Sequence, residues 1–236
     1  MNAIKNHIRY FSKEEWALWS LSMTFMIGSF LIFDRENYFT LLASVIGGTS
    51  LIYCAKGNPF GQVLMIIFSL LYAGISFAYA YYGEMITYLG MTAPMAVISL
   101  VSWMKNPYEG NKSEVAVNRI GRKEIALMVA VTIAVTYIFY LILYVFKTAN
   151  IIPSTISVAT SFLAVYLTFR RSAFYALAYA ANDLVLIVLW TMAAADDLKY
   201  ISVVICFSAF LVNDIYGYIS WKNMYKRQNK QQASRA

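Results

Sequence analysis

Residues 174–221 read FYALAYAANDLVLIVLWTMAAADDLKYISVVICFSAFLVNDIYGYISW. Two helix-length apolar runs meet at Asp196-Asp197, and each carries an Asn-Asp dipeptide deep inside it, Asn182-Asp183 and Asn213-Asp214. Polar and ionisable groups in hydrocarbon are costly unless partnered, so inside a membrane span they mark a substrate or ion pathway. This pair of runs therefore points to a polytopic transporter.

The rest of the chain agrees. Of 236 residues, 60% are apolar, 17% aromatic and only 13% charged, too little polar surface for a soluble domain of this size. A span needs about 17 to 25 apolar residues, and eight such runs are present: 16–33, 38–55, 60–81, 85–104, 125–146, 150–169, 172–195 and 198–221. The first is flanked by Lys13-Glu14-Glu15 and Asp34-Arg35-Glu36 without a small-residue cleavage site, so it is expected to be a retained helix and not a cleaved signal peptide.

Short loops rich in Lys and Arg stay in the cytoplasm. Sixteen of the 19 Lys and Arg fall on one side of the eight-span map, and only Arg35, Lys147 and Lys199 on the other. Both termini are thus expected to be cytoplasmic. The net charge of +7 then reflects topology and contact with the anionic bilayer, not nucleic-acid binding.

Enzyme chemistry lacks support. His7 is the single histidine, Cys54 and Cys206 stand alone in helices, and no spacing suits zinc. No Gly-rich phosphate loop with its Lys and no nucleophile elbow occurs. Neither a cofactor nor a metal is expected. Two isolated aspartates are the sole acid-base candidates, which makes an intramembrane enzyme the least supported class.

The spans show an internal repeat. Runs 38–55, 60–81 and 85–104 form one triplet, 150–169, 172–195 and 198–221 another, with 125–146 between them. Lys56-Gly57-Asn58-Pro59-Phe60 and Arg170-Arg171-Ser172-Ala173-Phe174 occupy matching turns, and Ser102-Trp103 and Ser220-Trp221 both close a third helix. The expected fold is an all-α membrane protein of eight helices: a 3+1+3 core of two parallel three-helix repeats behind one extra N-terminal helix, with a midplane site between the repeats. The corresponding divisions are 1–36 (tail and extra helix), 37–104 (first repeat), 105–149 (loop and connecting helix), 150–221 (second repeat) and 222–236 (basic tail). Gly47-Gly48, Gly74 and Gly217 are candidates for close helix approach, and Pro94 is a hinge candidate.

On these residues the chain resembles the PnuC nicotinamide riboside transporters, which share the 3+1+3 plan with the SWEET sugar transporters. Residues 174–221 look like that family's last two helices, with Asn182 and Asn213 at its two intramembrane asparagines and Trp221 near its terminal aromatic. Asn58, Phe60, Gly61 and Trp103 resemble the matching motif of the first half, whereas Leu64 and Ala96 stand where polar residues are expected. The likeness covers residues 38–221. It implies uptake of a vitamin B3 precursor for NAD biosynthesis by facilitated diffusion, made net inward by a separate cytosolic kinase that traps the product.

Nicotinamide riboside presents a cationic ring, a carboxamide and ribose hydroxyls, which call for amide hydrogen bonds, aromatic faces and a negative charge. Tyr175, Tyr179, Asn182, Leu186 and Trp190 share one helical face, as do Phe210, Asn213, Tyr216, Gly217 and Ser220. Asn182 lies 15 residues before Asp197 and Asn213 lies 16 after it, so the two amides are expected at matching depth on one ligand. Trp190, Tyr179 and Tyr216 are the expected aromatic lining. Asp183 and Asp214 have no base within the spans, and each points about 100° from its neighbouring Asn. They are either counter-ions to the substrate or neutral links between helices. Two stripes of the first half are candidate lining: Gln62, Ser69, Tyr72, Ser76 and Tyr79, and Tyr88, Thr92, Met95, Ser99 and Trp103. Helix packing is the alternative for each of their members.

Three other functions remain open from the residues alone. A carrier of thiamin or sugar would keep the fold, and a sugar carrier would not need the aspartates. A membrane scaffold would use the polar pairs only to join helices. Proton-coupled transport would use the aspartates as a proton site. The composition also leaves room for a homo-oligomer.

Overall fold

The computed structural model describes residues 10–78, 81–148 and 150–234; Lys5, His7, Arg9, Tyr79 and Arg235 lie outside them. Among the described residues, eight helices are long and apolar enough to cross a membrane: α1 (Lys13–Phe33), α2 (Tyr38–Ala55), α3 (Phe60–Ala78), α4 (Tyr82–Lys105), α5 (Arg122–Val145), α6 (Ile151–Phe169), α7 (Tyr175–Ala194) and α8 (Ile201–Ala233). A hairpin of β1 (Pro107–Tyr108) and β2 (Asn111–Val115) sits between α4 and α5. Its turn holds Glu109 and Gly110 at positive φ, 49° and 80°, as a tight two-residue hairpin requires.

The helix ends follow from local chemistry. Ser12 and Glu15 form a capping box on α1, with Glu15 N donating to Ser12 Oγ at 3.2 Å and Ser12 N to Glu15 Oε2 at 2.7 Å. Asn37 caps α2. Inside α4, residues Tyr88–Thr92 form a π-helical turn directly before Ala93-Pro94. Proline offers no amide hydrogen and crowds the preceding turn, and the widened turn absorbs that mismatch. Unlike the expected tail beyond residue 221, α8 continues to Ala233. Arg227 pairs with Glu114, and Gln228 bonds Glu114 and the Val115 and Val117 backbone, tying this extension to the hairpin.

Two halves with the same contacts make up the bundle. Trp103 Nε1 donates to Thr168 O at 2.9 Å and Ser102 Oγ to Phe169 O at 2.9 Å. In the other half Trp221 Nε1 donates to Cys54 O at 2.8 Å and Ser220 Oγ to Ala55 O at 2.7 Å. Each Ser-Trp pair thus adds two donors to the carbonyls of a helix's last turn. The helices that receive these bonds, α2 and α6, both end in a left-handed residue, Gly57 (φ 67°) and Arg171 (φ 57°).

The correspondence extends to the helices outside the triplets. Lys56, just after α2, pairs with Glu15 in the first turn of α1 at 3.1 Å. Arg170, just after α6, makes a two-pronged pair with Glu124 in the first turn of α5. The extra helix α1 is therefore the counterpart of the connecting helix α5, and each half is one helix followed by a triplet. α5 buries only Met128, Thr132 and Leu143, leaving its remaining apolar surface to the bilayer.

Of the four expected glycines, Gly47 and Gly48 are the sites of close approach. A Cβ at Gly47 would meet the Phe210 ring at 2.5 Å and one at Gly48 would meet Met23 at 2.7 Å, whereas Gly74 faces open space and Gly217 makes ordinary contact. Gly61 is the tightest against backbone, 2.7 Å from Cys54 N, and sets the α2–α3 hairpin.

Candidate functional site

Midway along the bundle, helices from both halves enclose a narrow cavity of about 30 Å³. Its walls are the rings of Phe68, Tyr88, Tyr179, Phe207 and Phe210, and its polar groups come from Thr92, Ser161, Asn182, Asp183 and Asp214. No Lys or Arg lines it.

The Asn182 side chain is fixed through its carbonyl oxygen, which accepts from Thr160 at 2.8 Å, Ser161 at 3.0 Å and Ser157 at 3.4 Å. All three hydroxyls come from one polar stripe of α6. With its oxygen occupied, the amide NH2 group is left to donate into the cavity.

Asp183 and Asp214 are buried, 3% and 4% exposed, and bring their carboxyl groups to the same cavity from α7 and α8. Asp183 Oδ2 has no protein partner. The pair therefore presents a negative or strongly accepting edge inside a ring-lined, base-free space, which suits a flat organic cation.

Aromatic layers close the cavity at both ends. Toward the end away from the basic residues, Trp190 Nε1 donates to Tyr72 OH at 2.6 Å, and the Trp190 ring packs on Tyr81 at 4.8 Å and Tyr200 at 5.6 Å. Toward the basic end, Trp103 packs on Trp221 at 5.2 Å, and Trp221 on Tyr175 at 4.8 Å. At about 30 Å³ the space takes a water or two, far below the roughly 300–1,000 Å³ of a small-molecule site. The conformation is occluded, and a solute the size of a nucleoside enters only when one layer opens.

The sequence model of the nicotinamide mononucleotide transporter family matches residues 37–223. The chain belongs to that family. Two curated relatives carry the name nicotinamide riboside transporter PnuC. The one from Neisseria mucosa is 24% identical over 220 residues, covering 91% of this chain and 83% of that protein. The one from Haemophilus influenzae is 24% identical over 200 residues, covering 82% and 83%. A crystal structure of the vitamin B3 transporter PnuC superposes with a TM-score of 0.80 at 21% identity, covering 92% of this chain and 94% of that one. That likeness shows the fold, and the family that the chain belongs to is one of transporters and not of enzymes.

Within this family fold the ten expected site residues separate. Asn182, Asp183, Asp214 and Tyr179 line the cavity. Asn213 does not: its Nδ2 donates to Ser22 Oγ on α1 at 2.8 Å and to Ala209 O at 2.7 Å. Tyr216 turns the same way and donates to Glu15 at 3.1 Å. The two amides share a depth but not a direction, because α1 packs on the face of α8 that carries them. Trp190 and Tyr72 belong to one closing layer and Trp103 to the other. Ser69 bonds its own helix at Met65 O.

Of the α4 stripe, Tyr88 and Thr92 reach the cavity. Phe68, Ser161 and Phe207 were not singled out by sequence. Neither was Glu84, 1% exposed in the half of α4 away from the basic end, with neither carboxyl oxygen in a full hydrogen bond. Ser157, whose hydroxyl contacts Asn182, lies close to the Glu84 carboxyl. An acid within the span was the available signal, masked by Tyr81-Tyr82 beside it, which reads as an interfacial belt.

Proposed function

We propose that this chain carries nicotinamide riboside across a bacterial cytoplasmic membrane by facilitated diffusion, with a separate cytosolic kinase trapping the nucleoside. The observation that carries this reading is the Asp183–Asp214 pair set in aromatic walls with no base. The pyridinium ring finds carboxyl oxygens and ring faces. Asn182 donates to the carboxamide, and Ser161 and Thr92 serve the ribose hydroxyls.

The same arrangement distinguishes the nucleoside from the mononucleotide of the family's description. A phosphate brings close to two negative charges at neutral pH, and the cavity offers it two carboxyl groups and no cation. An unpaired anion in such a place is strongly disfavoured. Phosphorylation on the far side therefore turns a substrate into a solute the carrier rejects, which is what trapping needs. A neutral sugar has no use for the acid pair.

The basic end, including both chain termini, faces the cytoplasm by the positive-inside bias. Glu84 then lies in the outer half and gives the cation a station between the outer layer and the cavity. Alternate opening of the Trp190–Tyr72 layer and the Trp103–Trp221 layer, by rocking residues 37–104 against 150–221 with the π-helical turn before Pro94 as the pliable point, completes transport.

Calorimetric titration of the purified chain with nicotinamide riboside, nicotinamide, thiamin, nicotinamide mononucleotide and glucose tests this. Riboside is expected to bind, the mononucleotide to be rejected, and Asn182→Ala to weaken riboside by about 10- to 100-fold, the worth of one or two buried amide hydrogen bonds. Equal binding of the mononucleotide, or heat from thiamin or glucose alone, would contradict the proposal.

A further inference from the structure

The correspondence between the two halves breaks at one place. Counted from the helix caps Ser12 and Gly121, Phe11, Trp16 and Trp19 correspond to Ile120, Ile125 and Met128. Counted from the left-handed residues Gly57 and Arg171, Tyr53 and Phe60 correspond to Leu167 and Phe174. In the first half these five rings pack against one another, with Phe11 5.7 Å from Trp16 and 5.1 Å from Tyr53, Trp16 5.7 Å from Trp19, and Tyr53 5.1 Å from Phe60. In the second half only Phe174 keeps its ring, and the four smaller side chains Ile120, Ile125, Met128 and Leu167 leave a groove of about 640 Å³ at the basic end, between α5, α8 and the α6–α7 turn.

Two cations stand at this groove, Arg119 and Lys222. Three other cations at this end are neutralised by a carboxylate: Lys56 by Glu15, Arg170 by Glu124 and Arg227 by Glu114. Arg119 and Lys222 make no ion pair among the described residues; Lys222 rests over the Tyr218 ring at 5.4 Å. The groove floor is continuous with the apolar surface that α5 and α7 turn outward, Ile125 being 45% and Phe174 56% exposed.

We propose that this groove is a site for one anionic phospholipid, whose acyl chain lies along Ile120, Ile125, Met128, Leu167 and Phe174 and whose phosphate meets Arg119 and Lys222. Each feature selects this occupant. The apolar wall opens toward hydrocarbon and admits a chain from the bilayer, while the cations stand at headgroup level, where basic pockets between helices hold anionic lipids. A soluble anion would have no use for the wall, and a zwitterionic lipid would leave the two cations without net neutralisation. In the first half the protein's own Phe11, Trp16 and Tyr53 fill the equivalent corner, so the lipid completes in one half what aromatic packing completes in the other.

The test is the melting temperature of the purified full-length chain in detergent, with added phosphatidylglycerol, phosphatidylcholine or inorganic phosphate. A ligand that binds only the folded state raises the melting point, and phosphatidylglycerol is expected to raise it by several degrees where the other two do not. The shift should vanish in Arg119→Gln/Lys222→Gln and in Ile125→Trp, which places in the groove the ring that Trp16 supplies opposite, and persist in Lys226→Gln/Lys230→Gln, which removes the same charge elsewhere. Each variant is compared with its own lipid-free melting point, and failure of one groove variant to fold leaves the other as the test. Absence of a shift, an equal shift from phosphate or phosphatidylcholine, its survival in the folded groove variants, or its loss in the control would overturn the proposal.

Discussion

Replacing Asp183 and Asp214 together with Asn is expected to reduce nicotinamide riboside affinity by on the order of 100-fold or more, because removing one partner of a buried, hydrogen-bonded charge contact costs about 2–5 kcal/mol. The fold should survive, since Asn matches the size and shape of each buried carboxyl and adds no charge. The informative control is a neutral analogue of the riboside with a reduced ring. Its binding should change far less than that of the cation, because only the charge term is lost. Titration of both compounds against the wild type and the double variant measures this directly. Equal losses for the cation and the neutral ring would mean that the aspartates merely shape the cavity, and unchanged binding of both would mean that they only link α7 to α8.

Trp103→Ala and Trp221→Ala are each expected to lower unfolding stability by about 3–5 kcal/mol, the usual range for deleting a buried aromatic side chain. Both indoles are 0% exposed, and both donate to a helix-terminal carbonyl of the opposite half. Losing the donor also removes the hydrogen bond that ties the two halves together at that joint. The symmetry gives the expectation a second edge: the two losses should be of similar size, because the two tryptophans occupy equivalent joints. Melting curves of the two variants check it. A large fall in one and none in the other would show that the halves are not held by equivalent contacts.

The eight spans were legible because apolar length is a strong signal and no Lys or Arg interrupts it. The Ser-Trp pairs were legible as a repeat because identical dipeptides close equivalent helices, and the bonds they make to Cys54, Ala55, Thr168 and Phe169 give that repeat its physical content. What sequence could not give is direction around a helix axis. Asn213 and Asp214 share a depth, and only the packing of α1 on α8 decides that Asp214 faces the cavity while Asn213 faces Ser22. Glu84 was hidden for a related reason. Its burial comes from segments distant in sequence, since Leu143 and Thr148 lie within 3 Å of where a side chain at the adjacent Gly83 would begin. The extension of α8 past Trp221 was also invisible, because its polar residues read as a tail until Glu114 on the hairpin is known to receive Arg227 and Gln228.

The central claim, a carrier that moves the cationic nucleoside without coupling, is tested most directly by uptake of labelled nicotinamide riboside into sealed proteoliposomes with no ion gradient, no membrane potential and no kinase. The account predicts saturable uptake that stops at equal concentrations inside and outside, is competed by unlabelled riboside but not by the mononucleotide, and is lost in Asp183→Asn/Asp214→Asn. Uptake that appears only with an imposed proton or sodium gradient, or that carries the mononucleotide equally well, would contradict it.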